Sequence, residues 1–189
     1  MALDFPSSPT SGQIYDRYKW DSTDTVWSLN LPEYNLVPLG YLPSIQYVVI
    51  SGGAGGGANI GGGGGAGAYR SSVVGESSGG AVNAELPLGY TPGTYQITVG
   101  AGGAGAAPNN TGSSGGSSSI SAVSVLGGGG GGNYSRPGGA GGSGVVIIKY
   151  PADVSLTIGA GLESETDSVS VPGYKITTFT AGSDTIEVI

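Results

Sequence analysis

The sequence predicts an all-β protein: short strands and hairpins that carry long glycine-rich extended segments of polyglycine-II type, preceded by a small N-terminal β module. Three observations predict it. No segment of the 189 residues sustains an apolar period of 3.6, whereas short alternating or β-branched stretches bounded by Gly and Pro recur throughout. Of the 40 glycines, about three times the usual share, 34 fall between Gly52 and Gly144. Each long glycine run follows directly on a strand-like segment.

Residues 1–44 read as a separate attachment module with a linker. After the turn-rich opening PSSPTSG, the stretch 13–29 has two β-rich arms around the polar turn DSTD, a hairpin pattern. Tyr18 and Trp20 share a face of the first arm by the two-residue period, and Trp27 stands on the second. Pro32, Pro38 and Pro43 then keep the connector 31–43 from being helical throughout.

Residues 45–150 form the glycine-rich domain. The expected strands are 45–50 (IQYVVI), 94–99 (TYQITV), 120–126 (ISAVSVL) and 145–150 (VVIIKY), and the first three lead into glycine runs at 51–68, 100–119 and 127–144. The unbroken apolar stretches YVVI and VVII suit strands buried on both faces; TYQITV alternates and suits one wet face. Val73, Val74, Leu86 and Leu88 are candidate packing residues between the first run and the second strand, and YTPG at 90–93 reads as a turn. Residues 151–189 are expected to add a C-terminal β segment from VSLTI, SVSV, YKITTF and DTIEVI.

Fixing a glycine costs roughly 1–2 kcal/mol of backbone entropy. Long runs therefore stay slack unless bare backbones pack closely enough to offset that loss. A collagen triple helix needs glycine at every third position, and GGAGGGANIGGGGGAGA shows no such period, so collagen is set aside. Extended three-residue-per-turn helices packed side by side through N–H to C=O bonds remain available. The similar lengths of the three runs favour such a bundle over flexible loops.

Composition excludes several chemistries. The absence of Cys and His removes thiolate and imidazole nucleophiles, disulfides and the common zinc sites. A net charge of -7 makes nucleic acid a poor partner. The opening residues show no basic and apolar leader, and no run of about 18 apolar residues occurs; no membrane insertion is expected. The GxGxxG matches lie in no strand–turn–helix unit, and no GK[ST] follows a glycine run. No cofactor, metal site or catalytic residue is assigned. Glu163, Glu165 and Asp167 would share a strand face and could hold a cation or act as a glycosidase pair, but a solvated acidic edge is the expectation. Glu76 and Glu85 are candidates to pair with Arg70 at the surface.

The opening FPSSPTSGQIYDRYKW with its Trp-containing hairpin resembles an N-terminal module of tail-fibre and related virion proteins of tailed, especially marine, bacteriophages. The segments YVVISGGAGGG, LPLGYTPGTYQITVGAGGAG and GGSGVVIIKYP are similar to the glycine-rich part of the same class, and GYKITTFTAGSDTIEV resembles one of its C-terminal or inter-repeat segments. The resemblance implies a non-enzymatic virion structural protein. It would be a tail-fibre or tip adhesin on the tail or outer capsid surface, commonly a homotrimer, bound to other virion proteins and to a host receptor such as a glycan. Capsid decoration or a head fibre is the alternative, and a carboxylate-dependent polysaccharide depolymerase the rival from another class.

On that reading Tyr18, Trp20 and Trp27 are candidates for attachment to the virion. Tyr69, Tyr90, Tyr134, Asn133 and Arg136, at the borders of glycine runs or inside one, are candidates for receptor contact, because an amphipathic ring beside bare backbone offers both apolar area and a hydroxyl.

Overall fold

The structure, a computed structural model, describes residues 14–15, 18–21, 26–29, 44–58, 61–80, 83–89, 91–131 and 137–189. The chain divides into two compact units, 1–41 and 42–189. The first contains β1 (Ile14–Tyr15), β2 (Tyr18–Asp21) and β3 (Val26–Leu29), an antiparallel sheet in the order β1-β2-β3. Trp20 lies opposite Trp27 in the register, so the expected hairpin forms.

The second unit contains β4 (Ser44–Ile50), β5 (Tyr69–Ser71), β6 (Leu88–Gly89), β7 (Gly93–Thr98), β8 (Ser118–Ile120), β9 (Val123–Val125), β10 (Val145–Pro151), β11 (Leu156–Ile158), β12 (Leu162–Asp167) and β13 (Tyr174–Val188). All pairings are antiparallel, along the path β5-β4-β10-β13-β7-β8-β9. The two ends of the path approach each other, with Arg70 Nη1 on β5 donating to the carbonyl of Ser124 on β9 at 3.4 Å. The sheet is therefore nearly closed into a barrel.

Residues 151–189 belong to the same sheet through β13. Its first half pairs with β10 and β12, and its second with β7 and β11. At the change of partners Gly182 sits at φ 101°, a conformation that a Cβ disfavours. The interior holds Tyr47, Ile97, Ile120, Ile148, Phe179 and Ile186, each at most 2% exposed. Burying side chains of this size contributes roughly 1.5–3 kcal/mol apiece.

Several expectations are corrected. β4 and β10 are not buried on both faces: Ile45, Tyr47, Val49, Val146, Ile148 and Tyr150 are buried, while the alternate residues are only partly covered, because a barrel wall has a single inside. ISAVSVL is two short strands rather than one, turning at Ser121, whose φ is 49°. SVSV at 168–171 is a bend, held by the Asp167 carboxylate accepting from the amides of Val169 and Ser170. Leu88 packs on the core, but Val74 and Leu86 are 84% and 88% exposed.

The glycine runs are ordered. Along 51–57 successive amides point to three different neighbours: Ser51, Ala54 and Gly57 donate to the carbonyls of Ala68, Gly65 and Gly62; Gly52 and Gly55 to Gly116 and Ser113; Gly53 and Gly56 to Gly142 and Gly139. A direction that returns every third residue, with all partners outside the segment 51–57, is the signature of the extended helix with three residues per turn. The packed extended helices expected from the sequence thus form, with a three-residue period in bond direction although glycine does not recur strictly at every third position.

Among the described residues the three long runs give six extended helices: 51–57, 61–68, 100–106, 112–116, 126–131 and 138–144. Helix 51–57 is central. Around it 61–68 bonds to 126–131, that to 112–116, that to 100–106, and that to 138–144, every adjacent pair running antiparallel.

Candidate functional site

The bundle has two unlike ends. At one, the six helices run directly into strands β4, β5, β7, β8, β9 and β10, and the junction is sealed by buried serines. Ser51 Oγ donates to the carbonyl of Leu126, and the Gly100 amide donates to Ser118 Oγ at 2.9 Å. At the other end the helices reverse. The first link closes with the Gly61 amide on the carbonyl of Ala58, the second with Asn110 on Ala107. Asn109 there holds φ 65°, a left-handed position that Asn tolerates better than most residues. The third link joins Gly131 to Pro137 and lies outside the described residues; Gly131 and Gly138 bond to Gly55 and Ala106 at this same end.

Only glycine permits the packing between these ends. A Cβ on Gly55 would stand 1.9 Å from the carbonyl oxygen of Ala104, and one on Gly115 2.0 Å from that of Gly52. These are main-chain Cα–H to oxygen approaches that supplement the N–H bonds. Side chains face outward at the exposed Ala101, Ala104, Ala140 and Ser143, whereas Ala54 and Ala106 are buried.

Beside β4 and β5 a polar network ties the loop 72–87 to the sheet. Arg70 grips Glu85 with two parallel bonds, Nε to Oε1 at 2.7 Å and Nη2 to Oε2 at 2.6 Å. Ser78 Oγ donates to Oε1 at 2.6 Å and the Tyr47 hydroxyl to Oε2 at 2.7 Å. The Arg70 bond above all, then Ser78 and Tyr47, hold the Glu85 carboxyl down to about 2. Burial first, and the Glu85 carboxylate second, push the Tyr47 phenol up to about 12. Glu76 pairs instead with the Tyr69 and Ser71 hydroxyls, which hold its carboxyl below the ordinary range. A carboxylate so fully occupied by its own chain is a fastening rather than a binding group.

A family known as the glycine-rich domain matches residues 36–132, just over half of the 189 residues. The chain belongs to the glycine-rich domain family. The match covers five of the six extended helices and stops before 138–144. No curated protein and no solved structure matches the chain.

Against this geometry the sequence-derived candidates separate. Tyr69 opens β5 at the strand end of the bundle, half-buried, with its hydroxyl given to Glu76. Tyr90, Asn133, Tyr134 and Arg136 lie outside the described residues, as do the side chains of Tyr18, Trp20 and Trp27. On β12, Glu163, Glu165 and Asp167 are exposed; a shift in the pairing with β13 falls after Glu163, and Asp167 holds the following turn. Sequence reasoning missed the reversals within each run, although Pro108-Asn109-Asn110 at the middle of the second is a turn signal.

Proposed function

We propose that this chain is a non-enzymatic adhesin of a tailed-phage virion, in which the glycine bundle is a stiff spacer and the links at its strand-free end meet the host surface. One observation carries the reading: the helices fold into a single main-chain lattice with the sheet at one end and the links at the other. Connecting segments on a rigid scaffold are where binding residues concentrate, because they change without disturbing what holds them. The third link supplies Asn133, Tyr134 and Arg136, a ring and hydrogen-bonding groups of the kind that recognise glycans and proteins. The second supplies Asn109, Asn110 and Thr111. Residues 1–44 would then attach the chain to other virion proteins.

The test is cell-surface binding by fluorescently labelled full-length chain across a panel of bacterial hosts. Replacing Asn133, Tyr134 and Arg136 together with Ser should abolish binding to the recognised host and leave the melting temperature unchanged. Binding that survives this change and the matching change at 109–111, but is lost with Tyr69→Phe, would move the contact to the strand end and overturn the proposal.

A further inference from the structure

The three-residue period assigns every backbone group of the central helix 51–57 a direction. Its amides serve the three descending neighbours 61–68, 112–116 and 138–144. Its carbonyls serve the ascending ones: Gly52 and Gly55 accept from Gly128 and Gly131, and Gly53 and Gly56 accept from Gly103 and Ala106. The third row of carbonyls, those of Ser51 and Ala54, receives no N–H among the described residues. Each meets only a glycine α-carbon, since a Cβ on Gly67 or Gly64 would lie 2.0 or 2.2 Å away. The carbonyls of Gly52, Gly53, Gly55 and Gly56 have both kinds of contact, with Gly115, Gly141, Gly112 and Gly138 making the α-carbon approach.

The ring explains the missing donor. Around the centre five helices alternate in direction, and a hexagonal arrangement has a sixth place, between 138–144 and 61–68. Those two both descend and exchange no hydrogen bond among the described residues. Gly53 and Gly56 face this gap. A Cβ on Gly53 would find Gly142 at 3.7 Å on one side and Gly65 at 3.9 Å on the other, and one on Gly56 would find Gly139 at 3.6 Å. No residue larger than Ala or Ser occurs on either flanking helix, so the slot has bare main-chain walls.

We propose that the slot is a docking site for an extended, glycine-rich segment of another polypeptide, running parallel to 51–57 and donating amides to the carbonyls of Ser51 and Ala54. The polarity follows from the bundle, since both ascending neighbours donate to the centre and every descending one accepts from it. Composition follows from the walls, because close approach of this kind requires glycine at least at every third position. Seven residues at about 3.1 Å each span the length of the slot. A second copy of this chain is a poor occupant: its ascending runs 100–106 and 126–131 are already bonded on both sides and to the centre. The segment comes from a chain that is extended before it docks, so that main-chain bonds supply affinity as they do when a strand is added to a sheet edge.

The probe is a fluorescein-labelled peptide containing GAGGAGAGAGGAGA between terminal lysines, titrated into the full chain by fluorescence anisotropy. Saturable binding is expected, and a peptide with every glycine replaced by sarcosine, which has no N–H, should not bind. Gly53→Val with Gly56→Val projects side chains into the slot, with each Cβ at ordinary contact distance from its walls. It should weaken binding by about tenfold or more at an unchanged melting temperature, and Gly129→Val, whose Cβ stands in open space, should bind like the parent. Absence of saturable binding, equal affinity for the sarcosine peptide, or parental affinity in the double variant overturns the proposal. A parent dimer that the double variant converts to monomer also overturns it, by making a second copy the occupant.

Discussion

Gly53 and Gly55 are two residues apart on the same helix, yet the same substitution should act on them with opposite sign. Gly53→Ala places a methyl group at ordinary contact distance, 3.7 Å from its nearest neighbour. It also restricts the unfolded chain, which stabilises by about 0.4–1 kcal/mol at a compatible site. Gly55→Ala places the methyl 1.9 Å from the Ala104 oxygen and 2.4 Å from its carbonyl carbon, both main chain. The helix must move away, which strains its bonds to Ser113 and from Gly131. Overpacking costs about 1–3 kcal/mol and two weakened bonds about 1 kcal/mol each. The sum is a loss of about 3–5 kcal/mol, or about 6–20 °C in Tm for a chain of this size. Thermal unfolding followed by circular dichroism reads both variants. Equal Tm values for the two would refute the close-packed lattice and return the runs to slack linker.

The remaining predictions concern the sheet and the network beside it. Because the folded-state carboxyl of Glu85 lies below its ordinary value near 4.5, the stability it contributes is present above that value and is lost as pH falls through about 2. With side chains 37% and 27% exposed, the Arg70–Glu85 pair contributes about 1–2 kcal/mol after allowance for water. Urea titrations at pH 6 and pH 2.5 should show the loss of most of that contribution in the parent and a smaller loss in Glu85→Gln. At pH 6 Glu85→Gln should itself lower stability by about 1–2 kcal/mol, and an unchanged urea midpoint would show that the network fastens nothing. Gly182→Ala combines a left-handed backbone with a Cβ 1.9 Å from the Gly161 oxygen; a loss of about 2–4 kcal/mol is expected, read as a lower Tm.

Much of this fold was legible because strands announce themselves by alternation. Ile45 to Ile50 and Val145 to Tyr150 are strands as expected, and Tyr95 and Ile97 turn inward while Thr94 and Gln96 remain wet. The near-closure was not legible, because it depends on β13 passing from β10 to β7 at Gly182, and no local pattern states which strands a segment will join. The helical period was hidden for a different reason. Where nearly every residue is glycine, positions that require glycine look like positions that merely tolerate it. The period surfaces only through the exceptions: Ala101, Ala104 and Ala107 in one run, and Pro137, Ala140 and Ser143 in another, each three apart and exposed. The attachment and contact candidates rest on aromatic residues chosen by sequence neighbourhood, and for Tyr69 that neighbourhood leads to Glu76 and the strand end.

The centrality of helix 51–57 also bears on how the protein reaches this state. It is the first glycine segment in the chain, yet its amides wait for acceptors at residues 62–68, 113–116 and 139–142. Only its fold-back onto 61–68 is local, so the loop-closure entropy of nearly a hundred residues must be met before its last bonds form. Folding should accordingly be slow and all-or-none across the bundle. A fragment that stops at residue 132 would leave the Gly53 and Gly56 amides without their acceptors, so the lattice is a product of the finished chain.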